Sequence, residues 1–266
     1  MIKPDRYPNG KHFAVTFSYD DGDKADRRLV DIFNNYGMKA TFNLIPSRFD
    51  GKTVVSSGEL RSLYDGHEIA CHSYSHPHLA RLPLTGQSRE IALGRLSLER
   101  LSGRLVRGMA TPYGEKNDDT IVAMKAAGMA YCRNAGVSGG LSVPADFLDW
   151  TPSCHRTGAP AVIEKFRNEW IHQPWQYGGL LFIWGHSFEF DRADNWELAE
   201  QICSSLAGID DVWFATNIEI YDYITAQRSL VISCDGDVIF NPSAVDVWVS
   251  QNGSAICIKG GDTIRL

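Results

Sequence analysis

Apolar runs of strand length alternate with amphipathic stretches of helical period along most of the chain. HFAVTFSY (12–19) predicts a first strand. ADRRLVDIFNNYG (25–37) then places Leu29, Val30, Ile32 and Phe33 on one side of a helix that Gly37 stops. KATFNLIP (39–46) predicts the second strand, SSGELRSLYDG (56–66) a short Ser-capped helix, and HEIACHSYSH (67–76) a third strand that runs into a polar loop. TGQSREIALGRLSLERLSG (85–103) carries Ile91, Leu96, Leu98 and Leu101 near helical spacing, RGMATPYG (107–114) reads as a short strand and a turn, and NDDTIVAMKAAGM (117–129) as a capped helix. GGLLFIWGH, NWELAEQICSSLAG, DVWFATN and IEIYDYITAQRS continue the alternation to residue 229. Strands alternating with helices predict parallel βαβ units and an α/β fold. Beyond that point the period changes to short β-rich runs broken by Asp-Gly, Asn-Pro and Asn-Gly turns. The expected organisation is a main domain at 1–228 and a small antiparallel β appendage at 229–266, packed on it because ~40 residues bury too little to stand alone.

Composition narrows the partners. At 266 residues and 44% hydrophobic, the chain can bury one large core. A formal charge of −6 with no Lys/Arg run argues against nucleic acid or an anionic membrane surface. No stretch approaches the ~18 apolar residues of a membrane span. The six cysteines are scattered without a CxxC pair, several inside strand-like runs, which fits reduced core thiols. Together with a start, MIKPDRYPNGKHFAV, that lacks a leader's apolar core, this sets a cytoplasmic expectation, or an extracellular one if a leader has been trimmed away.

The candidate chemistry sits where predicted strands end. Asp20 and Asp21 are adjacent after the first strand, and successive side chains of a strand alternate faces. His72 and His76, after the third strand, can converge on one cation if their loop takes a helical turn, and imidazole suits zinc, iron, cobalt and nickel. Alone, HxxxH arises by chance and DDGD serves as a turn and cap. Together they would meet at the C-terminal face of a parallel sheet, one aspartate on a metal and the other free as a base toward water. The same face should collect TPYG (111–114), DFLDW (146–150) and WGHSFEF (184–190). There His186 is a poised acid or, alternatively, a satisfied buried histidine.

Across roughly residues 10 to 225 the ordered set SYDDG, HSYSH, PYG, DFLDW and WGH, with KATFNL after the first helix, resembles the polysaccharide deacetylase family, the NodB-homology group of metal-dependent carbohydrate esterases (family 4). The resemblance implies a distorted (β/α)7-type barrel in which Asp21, His72 and His76 bind one divalent metal ion, zinc first, with cobalt or nickel also suited. It assigns the general base to Asp20, the oxyanion donor to the Tyr113 backbone N–H, the general acid to His186, and to Asp149 the carboxylate that orients that histidine or its neighbours. The implied substrate is a carbohydrate, and the implied reaction removes acetyl from an N-acetylated amino sugar in a glycan or sugar intermediate. Two alternatives stay open: the same fold acting on an O-acetyl ester or small cyclic amide, or an inactive glycan-binding relative.

The chain departs from the family pattern twice. Ala110 stands where the family has an arginine that buttresses the base, and motif five carries Phe182 and Trp184 in place of aliphatics. Arg107 could reach inward to replace the arginine, or begin a strand at the surface. Glu189 could bind a sugar hydroxyl, take over the arginine's organising function, or simply be exposed. Trp150, Trp184 and Tyr74 suit stacking on a sugar face but equally suit a core. His155 either reaches the pocket or is an ordinary loop histidine, and His78 and His12 are taken as non-catalytic.

Overall fold

The computed structural model describes residues 2–266 and begins with a two-residue strand, β1 (Ile2–Lys3). The first predicted strand forms as β2 (Phe13–Asp20), and all of its residues are buried. A strand covered on both faces reads as a continuous apolar run, which is why HFAVTFSY lacks polar alternation. It is followed by α1 (Asp26–Asn35), β3 (Thr41–Leu44), α2 (Leu60–Leu63), β4 (Glu68–Cys71), α3 (Leu84–Ser102), β5 (Gly108–Ala110), α4 (Asp118–Ala126) and β6 (Tyr131–Arg133). Then come β7 (Cys154–His155), α5 (Ala159–Asn168), β8 (Gly179–His186), α6 (Phe188–Arg192), α7 (Glu197–Leu206), β9 (Val212–Phe214) and α8 (Asn217–Arg228).

All pairings of the main sheet are parallel, in the order β6-β5-β4-β3-β2-β8-β7, with β9 branching from β2. β2 pairs with β8 along its whole length, with β9 through Phe13–Val15 and with β3 through Ser18–Asp20, so the sheet forks around it. The sheet curls back on itself through residues 150–153. The Trp150 N–H donates to Cys132 O, the Asn134 N–H to Trp150 O and the Ser153 N–H to Phe182 O. This is the distorted (β/α)7-type barrel, and three elements the sequence pattern did not predict, β6, β7 and α5, complete it.

Helix α1 buries Leu29, Val30, Ile32 and Phe33, as its spacing predicts. Helix α3 differs from expectation. Its buried residues are Gln87, Ile91, Gly94, Leu98 and Ser102, while Leu96 is 40% exposed. The reason lies at Gly94, where a Cβ would come within 2.7 Å of Cys71 Sγ and 2.9 Å of the Ser73 carbonyl carbon. The helix lies against the end of β4 so closely that only glycine fits.

Past α8 the chain forms β10 (Val231–Ile232), β11 (Val238–Phe240), β12 (Val247–Gln251), β13 (Ser254–Ile258) and β14 (Thr263–Arg265). These make two antiparallel sheets, β10-β11-β14 and β1-β12-β13. The second recruits the N-terminus, with Ile2 opposite Gln251 and Lys3 opposite Ser250. Among the described residues all six cysteines are free and four are buried, and no helix is long and apolar enough to cross a membrane.

Candidate active site

β2 ends at Asp20, which is 3% exposed. Its Oδ1 accepts from Asn43 Nδ2 at 2.9 Å, from the register-paired residue of β3, and its Oδ2 accepts from Arg133 Nη2. Burial alone would raise this carboxyl's pKa, but Arg133, His72 and His186 together lower it, so it stays ionised. Asp21 leaves the strand at φ +79, in the left-handed region, with its N–H bonded to Asn43 O. That turn cancels the alternation expected of adjacent strand residues. Both carboxylates line one cleft, with Asp20 Oδ2 3.9 Å and Asp21 Oδ1 3.8 Å from His72 Nε2.

The loop from His72 to His76 is not a helical turn, contrary to expectation. Ser73 and His76 take positive φ of 59° and 64°, the Ser73 hydroxyl accepts the His76 N–H, and Glu90 of α3 accepts both the N–H and the hydroxyl of Ser75. The convergence is achieved anyway, with His76 Nε2 3.6 Å from Asp21 Oδ1. The Ala110 carbonyl faces His72 Nδ1 at 2.8 Å, which fixes the proton there and leaves Nε2 as a lone pair toward the cleft. Burial lowers the proton affinity of both imidazoles; for His76, with His72 beside it and Asp21 opposing, the pKa falls to about 4. Two neutral imidazole nitrogens thus face a carboxylate oxygen, Asp21 Oδ1, that is buried without a hydrogen-bond partner. The His72 lone pair and the Asp21 oxygen are acceptors turned on each other, a repulsion that a cation between them relieves, and Arg48 Nη1 lies 3.9 Å from the same oxygen. The set fits a borderline divalent ion such as zinc, cobalt or nickel, and three protein donors leave positions open.

His186 ends β8 in register with Asp20. Glu189 supports it from α6, with Oε1 3.5 Å from His186 Nδ1 and Oε2 accepting the His186 N–H at 3.2 Å. Burial lowers the His186 pKa, but Glu189, Asp20 and Asp21 outweigh it and the net shift is upward. Glu189 also holds Arg156 Nε at 2.7 Å and His155 Nε2 at 3.1 Å. His155, His186 and Glu189 offer a second trio of donor atoms, yet the Arg156 guanidinium already neutralises the carboxylate and opposes another cation. The cleft encloses about 290 Å³ and is lined by both aspartates, His72, His76, Tyr113, Arg133, Trp184 and His186, among others.

The family model for polysaccharide deacetylases matches residues 6–132, which contain the two aspartates, the two histidines and the Pro-Tyr-Gly turn. Over this segment the chain is similar to the polysaccharide deacetylase family. The peptidoglycan-N-acetylmuramic acid deacetylase PdaC of Bacillus subtilis is 31% identical over 120 residues, 44% of this chain and 25% of that protein. A chitin deacetylase of Pestalotiopsis sp is 32% identical over 106 residues, 40% of this chain and 35% of that protein. The match therefore spans a quarter to about a third of the length of these curated relatives. A solved structure described as a polysaccharide deacetylase, from Mycobacterium smegmatis, shares the fold with a TM-score of 0.65 at 20% identity, over 84% of this chain and 93% of that one.

Within this fold several expected site residues lie elsewhere. Asp149 points out, its side chain 62% exposed, and bonds Lys116 and Asn134, not His186; Glu189 holds that histidine. Arg107 forms a two-pronged pair with Asp222 at 2.6 and 3.0 Å and does not reach inward. Trp150 is fully buried among Tyr131, Phe147 and Phe182, because it closes the barrel, so it cannot stack on a sugar. Tyr74 is half-buried and outside the cleft lining, whereas Trp184 lines it, and His155 packs edge-on against Trp184 at 5.0 Å. Tyr113 takes φ +59, which lays its ring 3.8 Å from His78 and 4.7 Å from His76. Sequence reading missed Asn43, Arg133 and Arg156. Asn43 was accessible from strand register alone, since it sits at the end of the strand beside β2.

Proposed function

We propose that this domain is a metal-dependent hydrolase that removes the acetyl group from an N-acetylated amino sugar in a glycan or sugar intermediate, of the peptidoglycan or chitin kind. The observation that carries the reading is the convergence of Asp21, His72 and His76 beside an ionised Asp20 and a proton-retaining His186 in one cleft. Amides are poor electrophiles and amines poor leaving groups, so hydrolysis needs an activated water, a sink for oxyanion charge and a proton for the departing nitrogen. Asp21, His72 and His76 would hold one divalent ion, which would supply a Lewis acid there. Asp20 accepts the proton of the attacking water; both its oxygens already accept one bond each and retain a further lone pair. The Tyr113 N–H donates to the developing oxyanion. His186 carries its proton to the leaving nitrogen and is then neutral until it takes up another.

The test is acetate release from chitooligosaccharides, peptidoglycan fragments and acetyl esters, with zinc, cobalt or nickel added. Release from N-acetyl substrates is expected; silence on all of them with turnover of esters would overturn the reading. His72→Ala should lose the ion. Asp20→Asn should keep it while turnover falls by about 10²-fold or more, the usual contribution of a positioned base. Full ion content in the first variant, or undiminished turnover in the second, removes that residue from its role.

A further inference from the structure

Ala110 and Trp184, the two positions at which the chain departs from the family pattern, meet at a single side chain. Ala110 of β5 pairs in register with Arg133 of β6. Register partners of a parallel ladder project from the same face, with strands about 4.8 Å apart. An arginine on β6 can therefore address the space that one on β5 would have entered. Arg133 is 1% exposed, its guanidinium donates to Asp20 Oδ2, and its Cζ lies 4.5 Å from the centre of the Trp184 ring. Trp184 is itself two residues before His186 on β8, and its ring packs edge-on against His155 at 5.0 Å and His186 at 5.9 Å.

Each part has a physical reason. An ionised carboxylate buried beside Asn43 must have a countercharge. Because the guanidinium is planar, it can donate in its plane to Asp20 while its face rests on an indole, an arrangement an ammonium cannot reproduce. A leucine or valine at 184 would offer no flat, electron-rich surface, and a long side chain at 110 would compete for the same volume as Arg133, since Ala110 is fully buried. We infer that Arg133, Trp184 and Ala110 form one device in which Arg133 is the positioning residue of the base Asp20, Trp184 clamps its guanidinium, and the small side chain at 110 leaves it room. The inference rests on the proposed reading of Asp20 as the base, and explains why an aromatic at 184 accompanies an alanine at 110.

The experiment uses the full chain with Arg133→Lys, Arg133→Ala, Trp184→Leu, the Arg133→Lys/Trp184→Leu double variant and the relocation variant Ala110→Arg/Arg133→Ala. Steady-state acetate release, bound-ion content and thermal melting are measured for each. Arg133→Lys should lower kcat by about tenfold to a hundredfold, as loss of a supporting partner does, with KM and ion content unchanged. Trp184→Leu should lower kcat in the same direction. The double variant should be no worse than Arg133→Lys alone, because residues acting as a unit are not additive. Relocating the arginine should return at least about tenfold of what Arg133→Ala loses. Wild-type kcat in Arg133→Lys, additive losses in the double variant, or loss of the ion in Arg133→Lys would each overturn the device. If wild-type protein releases acetate from nothing, the activity reading fails, and the melting temperatures of the Arg133/Trp184 cycle decide the device alone: non-additive shifts support it and additive shifts overturn it.

Discussion

Glu189 holds His186 from two directions, facing its ring Nδ1 at 3.5 Å and accepting its backbone N–H at 3.2 Å. A histidine that donates a proton to a leaving group works only while protonated, so turnover falls as pH rises through its pKa. Burial lowers that pKa, and Glu189 with Asp20 and Asp21 raises it above the ordinary value of 6.5. Glu189→Gln removes one of the raising charges. The alkaline limb of the kcat profile should therefore move to lower pH, with ion content unchanged; a limb that stays in place or moves upward would show that His186 is not the acid. At this scale the donor types were legible in sequence, because SYDDG and HSYSH announce carboxylates and imidazoles near strand ends. Their supports were not. Arg133 lies 113 residues from Asp20, and Glu189 reaches back to Arg156 across 33, so only the folded register brings them together.

Elements of ordinary length were readable from period, and very short ones were not. β2 and β8 have eight residues each and declare themselves as apolar runs, whereas β6 has three, one of them Arg133, and β7 has two. Neither is long enough to show a period of two, so the strand that carries the partner of Asp20 went unseen. Helix α3 shows the converse case, a clear helical period whose buried face was misjudged because a glycine, not a leucine, makes the closest approach. Glu90 of that helix fixes Ser75, and Gly94 lies against Ser73, so α3 sets the loop between His72 and His76. Gly94→Ala forces the two apart. Stability should fall by about 1–3 kcal/mol, the usual cost of overpacking, and ion affinity should fall with it, read by melting and by ion titration. Unchanged affinity in the destabilised variant would mean that the loop holds its donor geometry without the helix.

On the scale of the whole molecule, binding and anchoring are at opposite ends of the same strands. Asp20 and His186 are the last residues of β2 and β8, while the N-terminal segment ahead of β2 packs on the appendage. Tyr223 of α8 is the joint: its hydroxyl donates to Arg6 O at 2.8 Å and accepts the Trp248 N–H of β12 at 3.0 Å. Arg6 in turn donates to Ser250 Oγ at 2.7 Å. The segment around Arg6, β12 and α8 are thus tied through one phenol that is 2% exposed. Tyr223→Phe keeps the ring and leaves the Trp248 N–H without that acceptor, a loss of about 2 kcal/mol, or a fall in Tm of about 4–8 °C for a chain of this size. The eight residues of β2 put about 25 Å between this joint and the cleft. Ion affinity and kcat should therefore hold at the wild-type level in the folded variant. A parallel loss of ion affinity would instead mean that the appendage helps set the curl of the sheet on which Asp20, His72 and His186 depend.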